Sequence, residues 1–119
     1  MSYYCHPPLP CYNPKMSLSN DLTQKILKFL FENKIYAWRQ NTGGLFDQRL
    51  GIYRPAAKRG VADILACCSG RLIAFEIKIG KDKLSPEQKG FIESINKAGG
   101  YATIISSYDE FIEKWNSIT

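Results

Sequence analysis

Asp63, Glu76 and Lys78 are the residues of this 119-residue chain whose types and spacing carry chemistry. An extended strand alternates its side chains, so over Arg71 to Ile79 the residues Ile73, Phe75, Ile77 and Ile79 share one face. Ala74, Glu76 and Lys78 share the other. Ser69 and Gly70 separate this stretch from a second apolar run, Val61 to Cys68, and predict a hairpin turn. A turn symmetric about those two residues sets Glu76 opposite Asp63, with Cβ atoms about 4.5–5.5 Å apart on one face. Two like charges so placed cost stability unless a cation sits between them. Oxygen donors with no His or Cys nearby favour Mg2+ or Mn2+, ions that keep several waters and take further oxygens from substrate phosphates. The chemistry that suits this set is phosphodiester hydrolysis, with Lys78 orienting the attacking water or neutralising charge that develops at phosphorus. The simpler alternative is an exposed cross-strand charge pattern with Asp63 at the rim of a sheet.

The elements that must position these residues are legible on either side. Leu22, Ile26, Phe29 and Leu30 recur at helical spacing within Leu18 to Asn33, with Asp21 early and Lys34 late to suit the dipole. Ile35 to Arg39 is rich in β-forming residues and predicts a strand. Gln40 to Gly60 reads as a long loop, with four glycines, a proline and the basic residues Arg49, Arg54, Lys58 and Arg59. Ser85, Pro86 and Gln88 predict a capped helix start, and Gly99 with Gly100 a stop. Tyr101 to Ser106 is a short apolar strand, and Ser107 with Glu110 opens a last helix carrying Phe111, Ile112 and Trp115. The order is α-β-β-β-α-β-α, an α/β fold with a mixed sheet flanked by helices. Gln88 has two readings. It closes a capping box with Ser85, and it shares a helix face with Phe91 and Ile95 that packs toward the sheet, which would also aim it at the metal site or a phosphate. Arg39, Asn41, Arg54, Lys58 and Arg59 are candidate phosphate contacts, against the ordinary expectation that charged loop residues face solvent.

Composition bounds the rest. A chain of this length with 45% hydrophobic residues fits one compact domain, preceded by an irregular extension over residues 1–16. Sixteen Lys and Arg against eleven Asp and Glu give a net charge of +5 and a pI near 9.1, a mild preference for a polyanion such as nucleic acid. No apolar run approaches the roughly 20 residues of a membrane span, and prolines stand where a secretory signal has its apolar core. A soluble, cytoplasmic protein without membrane association is expected. Of four cysteines, the adjacent Cys67 and Cys68 lie in an apolar segment, and a disulfide framework is not expected there. Cys5, His6 and Cys11 lack a second pair at zinc-ligand spacing.

Taken together, Gly60-Val61-Ala62-Asp63, Glu76-Ile77-Lys78 and Ser85-x-x-Gln88 resemble the virus-type replication-repair nuclease domain, a family of the PD-(D/E)XK nuclease superfamily. Trp38-Arg39-Gln40-Asn41-Thr42-Gly43 resembles the family's segment after its first helix, and Ala98-Gly99-Gly100 its turn before the late strand. The likeness covers about residues 18 to 115. It implies a restriction-endonuclease-like core within a nuclease domain over residues 17–119. Asp63, Glu76 and the backbone carbonyl of Ile77 would bind Mg2+ or Mn2+, Lys78 would be the catalytic lysine, and Gln88 would assist. It further implies hydrolysis of DNA, branched DNA such as Holliday junctions in particular, by a homodimer in a bacterial or phage-infected cell. Two departures stand out. Ala62 occupies a position where the superfamily often has proline, and the family's early helical glutamate is absent, with Asp21 or Glu32 left as substitutes. Two rival readings are a non-catalytic nucleic-acid-binding module on the same fold and a sequence-specific restriction-type endonuclease, although no separate recognition region is visible.

Overall fold

The computed structural model describes residues 14–40, 45–54 and 58–119. Along these run α1 (Pro14–Glu32), β1 (Tyr36–Arg39), β2 (Leu45–Asp47), β3 (Ile52–Arg54), β4 (Ile64–Cys68), β5 (Arg71–Ile77), α2 (Pro86–Lys97), β6 (Tyr101–Ile105) and α3 (Tyr108–Ile118). Four strands form an open mixed sheet in the order β1-β4-β5-β6. β4 runs antiparallel to both of its neighbours, and β6 lies parallel to β5. A parallel neighbour cannot be reached by a tight turn, so the chain returns from β5 to β6 through α2.

The β4–β5 hairpin is fixed by its turn. Ser69 and Gly70 have φ of 52° and 79°, the left-handed pair whose twist matches a two-residue hairpin. The register pairs Cys68 with Arg71, Ala66 with Ile73 and Ile64 with Phe75, as the symmetric turn requires. Continued by one residue, it sets Asp63 opposite Glu76.

Alternation along β5 then sorts the two faces. Ile73, Phe75 and Ile77 enter the larger core with Leu22, Ile26 and Leu30 of α1 and Phe111 and Trp115 of α3. Phe111 meets Phe75 and Phe29 edge-on, at ring-centre distances of 5.2 and 5.3 Å, an arrangement that aromatic quadrupoles favour. On the other face Ala74 joins Ala62, Leu65 and Ala102, and Phe91, Ile92 and Ile95 of α2 pack against them. Small side chains there let the helix approach closely. The protein is thus an α/β fold of three helices around a four-stranded mixed sheet, with α1 and α3 on one face and α2 on the other. No helix among the described residues is long and apolar enough to cross a membrane.

Four expectations need correction. The stretch Gln40 to Gly60 is not all loop, because β2 and β3 pair as a small antiparallel hairpin, making the order α-β-β-β-β-β-α-β-α. Strands of three residues carry too little alternation to stand out among glycines and basic residues. Helix α1 begins at Pro14, so residues 14–16 of the expected extension are helical; a proline is tolerated in a first helical turn, where its missing N–H is not needed. β4 begins at Ile64, not Val61, and β5 ends at Ile77, not Ile79, although the Lys78 N–H still donates to the Ile105 carbonyl at 3.0 Å. The strands stop there because a side chain takes over the ladder, as described next.

Candidate functional site

Where the β4–β5 ladder ends, the carboxylate of Asp63 replaces a backbone partner: its Oδ2 accepts the Ile77 N–H at 2.8 Å. The Asp63 carbonyl in turn accepts the Gln40 N–H at 2.8 Å. Asp63 is therefore held from both sides, by the strand that carries Glu76 and by the end of β1, and its rotamer is set by a main-chain donor. The expected role of Ile77 was as a carbonyl ligand; its visible tie to the centre is this amide.

Glu76 lies on the α2 face of β5 and is only 3% exposed. A buried carboxylate must find donors, because its desolvation is otherwise uncompensated. Its Oε1 accepts from Gln88 Nε2 at 2.9 Å, and the Lys78 ammonium lies 3.7 Å from the same oxygen. These do not balance the site. Burial first, and then the charge of Asp63, push the Glu76 carboxyl from its ordinary 4.5 up to about 8, with Lys78 pulling the other way.

Gln88 closes the cap and also reaches Glu76. Its Oε1 accepts the Ser85 N–H at 2.9 Å while its own N–H donates to Ser85 Oγ at 3.1 Å, a complete capping box. Its Nε2 is left to reach Glu76. One amide thus closes the start of α2 and fixes the buried carboxylate. What brings α2 so close is Gly60, with φ of +81°: a Cβ there would stand 2.4 Å from the Glu87 carbonyl carbon and 2.8 Å from the Gln88 nitrogen. The segment leading to Asp63 therefore rests directly on the first turn that carries Gln88.

Extending the paired registers places Gln40, Asp63, Glu76 and Ile104 in one row across the sheet, from β1 to β6. Asp63, Glu76, Lys78 and Gln88 converge at the middle of that row. No family model matches this chain, and no curated protein does.

The other candidates are dispersed. Arg39 is exposed, and its guanidinium donates to Asn20 of α1, on the sheet face away from Glu76. Lys58 and Arg59 are exposed immediately before Gly60. Asn41 and the side chain of Arg54 lie outside the described residues, as do Cys5, His6 and Cys11. Asp21 and Glu32 are both exposed on α1, and neither takes part in the bonds around Glu76. Lys81 and Lys83 are exposed in the connection from Lys78 to Ser85, and in the sequence only their spacing from Lys78 signals them.

Chemically, the centre is two oxygen acids forced together in a poorly hydrated place, with one cation beside them. A divalent cation between the two carboxyl groups would relieve both charges, and carboxylate oxygens suit a hard ion. Among the described residues no group of three or more His, Cys, Asp and Glu side chains comes together, so such an ion would complete its shell with water, backbone or ligand oxygens.

Proposed function

We propose that this protein is a metal-dependent DNA endonuclease with a PD-(D/E)XK-type core related to the virus-type replication-repair nuclease domain. Branched DNA such as Holliday junctions is its substrate, and a homodimer its working form. The observation that carries the reading is Glu76: a carboxylate 3% exposed, opposite a second carboxylate, whose pKa near 8 marks a charge pair that folding alone gives no reason to build.

Asp63 and Glu76, with the Ile77 carbonyl, would hold Mg2+ or Mn2+. When bound, such an ion supplies Lewis acidity toward water and phosphoryl oxygen. The remaining work falls to the protein. The Ile77 N–H aims Asp63, and Gln88 Nε2 aims Glu76, so neither carboxylate reorganises as charge develops. Lys78 Nζ, on a side chain 17% exposed and next to Glu76, can donate a hydrogen bond to the attacking water or to a non-bridging phosphate oxygen. Exposed Lys81 and Lys83, in the connection from Lys78 to Ser85, and Lys58 and Arg59, just before Gly60, would suit contacts to the phosphate backbone. Two such centres related by a dyad match the symmetry of a four-way junction.

The test is cleavage of labelled four-way junction, splayed-arm and linear duplex DNA with Mg2+, Mn2+ or EDTA, beside Asp63→Ala, Glu76→Ala and Lys78→Ala. Circular dichroism checks each fold, and light scattering the dimer. The expected result is junction cutting that needs metal and is lost in all three folded variants. Binding of all three DNAs with no cutting would instead support the non-catalytic binding module, and sequence-specific cutting of linear duplex the restriction-type enzyme. A monomer in light scattering overturns the dimer.

A further inference from the structure

Gln40 sits at one end of the row that contains Asp63 and Glu76. Its backbone N–H is spent on the Asp63 carbonyl, at 2.8 Å. Its side chain is spent only in part: Oε1 accepts the indole N–H of Trp38 at 3.0 Å. An indole nitrogen can only donate, so the amide must present its oxygen to Trp38 and its NH2 away from it. Trp38 is itself fixed, because it packs with Val61 and Phe91 in the core under α2. The two donors of Gln40 Nε2 bond no acceptor among the described residues.

The result is a neutral, partly buried amide in register beside Asp63, with Glu76 next along the same row and on the same sheet face. Folding accounts for the oxygen, which satisfies the Trp38 N–H, but gives the NH2 no partner among the described residues. A glutamine free to rotate at the end of a strand would serve solvent equally well, and fixing it costs side-chain entropy. The arrangement suits an anionic acceptor that arrives with the substrate. A neutral donor also has an advantage over lysine here, since it can bind phosphate without neutralising Asp63 and Glu76 or competing with a cation between them.

We propose that Gln40 is a phosphate-binding residue of the centre, its Trp38-anchored amide donating to a non-bridging oxygen of the DNA phosphodiester presented to Asp63 and Glu76. The inference rests on the nuclease reading for its substrate, but its geometry is separate from the metal chemistry.

The decisive experiment measures binding, without turnover. Fluorescence anisotropy of labelled four-way junction DNA in EDTA compares wild type with Gln40→Ala and Gln40→Glu, whose carboxylate still accepts the Trp38 N–H and so preserves the local fold. A series of junctions carrying one methylphosphonate each, which removes one phosphate's charged oxygen, is titrated with the same proteins. Gln40→Ala is expected to weaken binding roughly tenfold, and Gln40→Glu more, by repulsion. One methylphosphonate position should weaken wild type by a similar factor and Gln40→Ala by little. Such non-additivity identifies the contacted phosphate, and a merely structural role would not produce it. If the two losses add at every position, or Gln40→Ala binds as wild type does, the assignment is overturned. If wild type shows the non-additive position but cuts no DNA with Mg2+ or Mn2+, Gln40 stands and the nuclease reading falls. If it neither binds nor cuts, both fall.

Discussion

Ionising Glu76 should cost this fold stability, and the cost is measurable as a pH slope. The folded protein holds the Glu76 proton up to about pH 8, whereas the unfolded chain releases it near 4.5. Folding therefore takes up a proton between those values, and stability falls as pH rises through that window and levels off above it. At 1.36 kcal/mol per pKa unit the slope is about 1.4 kcal/mol per pH unit, or roughly 2 kcal/mol between pH 6 and 8. In a domain of this size that is a fall of roughly 6–10 °C in Tm. Glu76→Gln keeps an acceptor for Gln88 Nε2 and removes the ionisation, so its Tm should stay level where the wild type's falls. The assay is thermal denaturation by circular dichroism in EDTA across pH 5 to 9, for both proteins, repeated with Mn2+. Groups remote from Glu76 contribute alike to both proteins, so the difference between the two curves isolates Glu76 and its coupling to Asp63 and Lys78. Mn2+ should restore wild type most at the alkaline end, where both carboxylates are charged, and leave Glu76→Gln nearly unmoved. Parallel pH curves for the two proteins would refute the argument that burial and Asp63 hold Glu76 protonated.

Lys78→Met removes the charge that lowers the Glu76 pKa, so the levelling-off of the same pH curve should move to higher pH; an unmoved curve would mean the two groups do not interact. Gly60→Ala forces a Cβ to 2.4 Å from the Glu87 backbone at a positive φ, and urea unfolding should show a loss of at least ~2 kcal/mol, against about 1 for Gly70→Ala, where the space is open. Equal losses at the two glycines would show that φ alone matters. Ser85→Ala should cost about 1 kcal/mol in urea unfolding through the lost cap, yet leave cleavage by the folded protein largely intact, because the Ser85 backbone N–H that holds Gln88 Oε1 remains. Phe111→Ala empties a fully buried position among Phe29, Phe75 and Trp115 and should cost about 3–5 kcal/mol by denaturant unfolding.

Local chemistry determined much of this molecule from its sequence. The Ser69-Gly70 turn sets the β4–β5 register, because a two-residue hairpin leaves strand pairing no freedom, and with it the opposition of Asp63 and Glu76. Ser85, Pro86 and Gln88 start α2 through bonds made within four residues, and the alternation along β5 assigns Phe75 and Glu76 to opposite faces. Other features arise between elements far apart in the chain. The β2–β3 hairpin is too short for its periodicity to register, and the first turn of α1 hides in a proline-containing stretch. The face that carries Glu76 reads as half polar in the sequence, yet α2 folds over it, and that burial, together with the charge of Asp63, lifts the carboxyl far from its ordinary range. That Gln88 spans from cap to carboxylate depends on the close seat of Gly60 on α2, a contact no local pattern encodes. Gln40 joins the row of Asp63 and Glu76 through the β1–β4 pairing, and its alignment rests on strand pairing at long range, which sequence spacing does not fix.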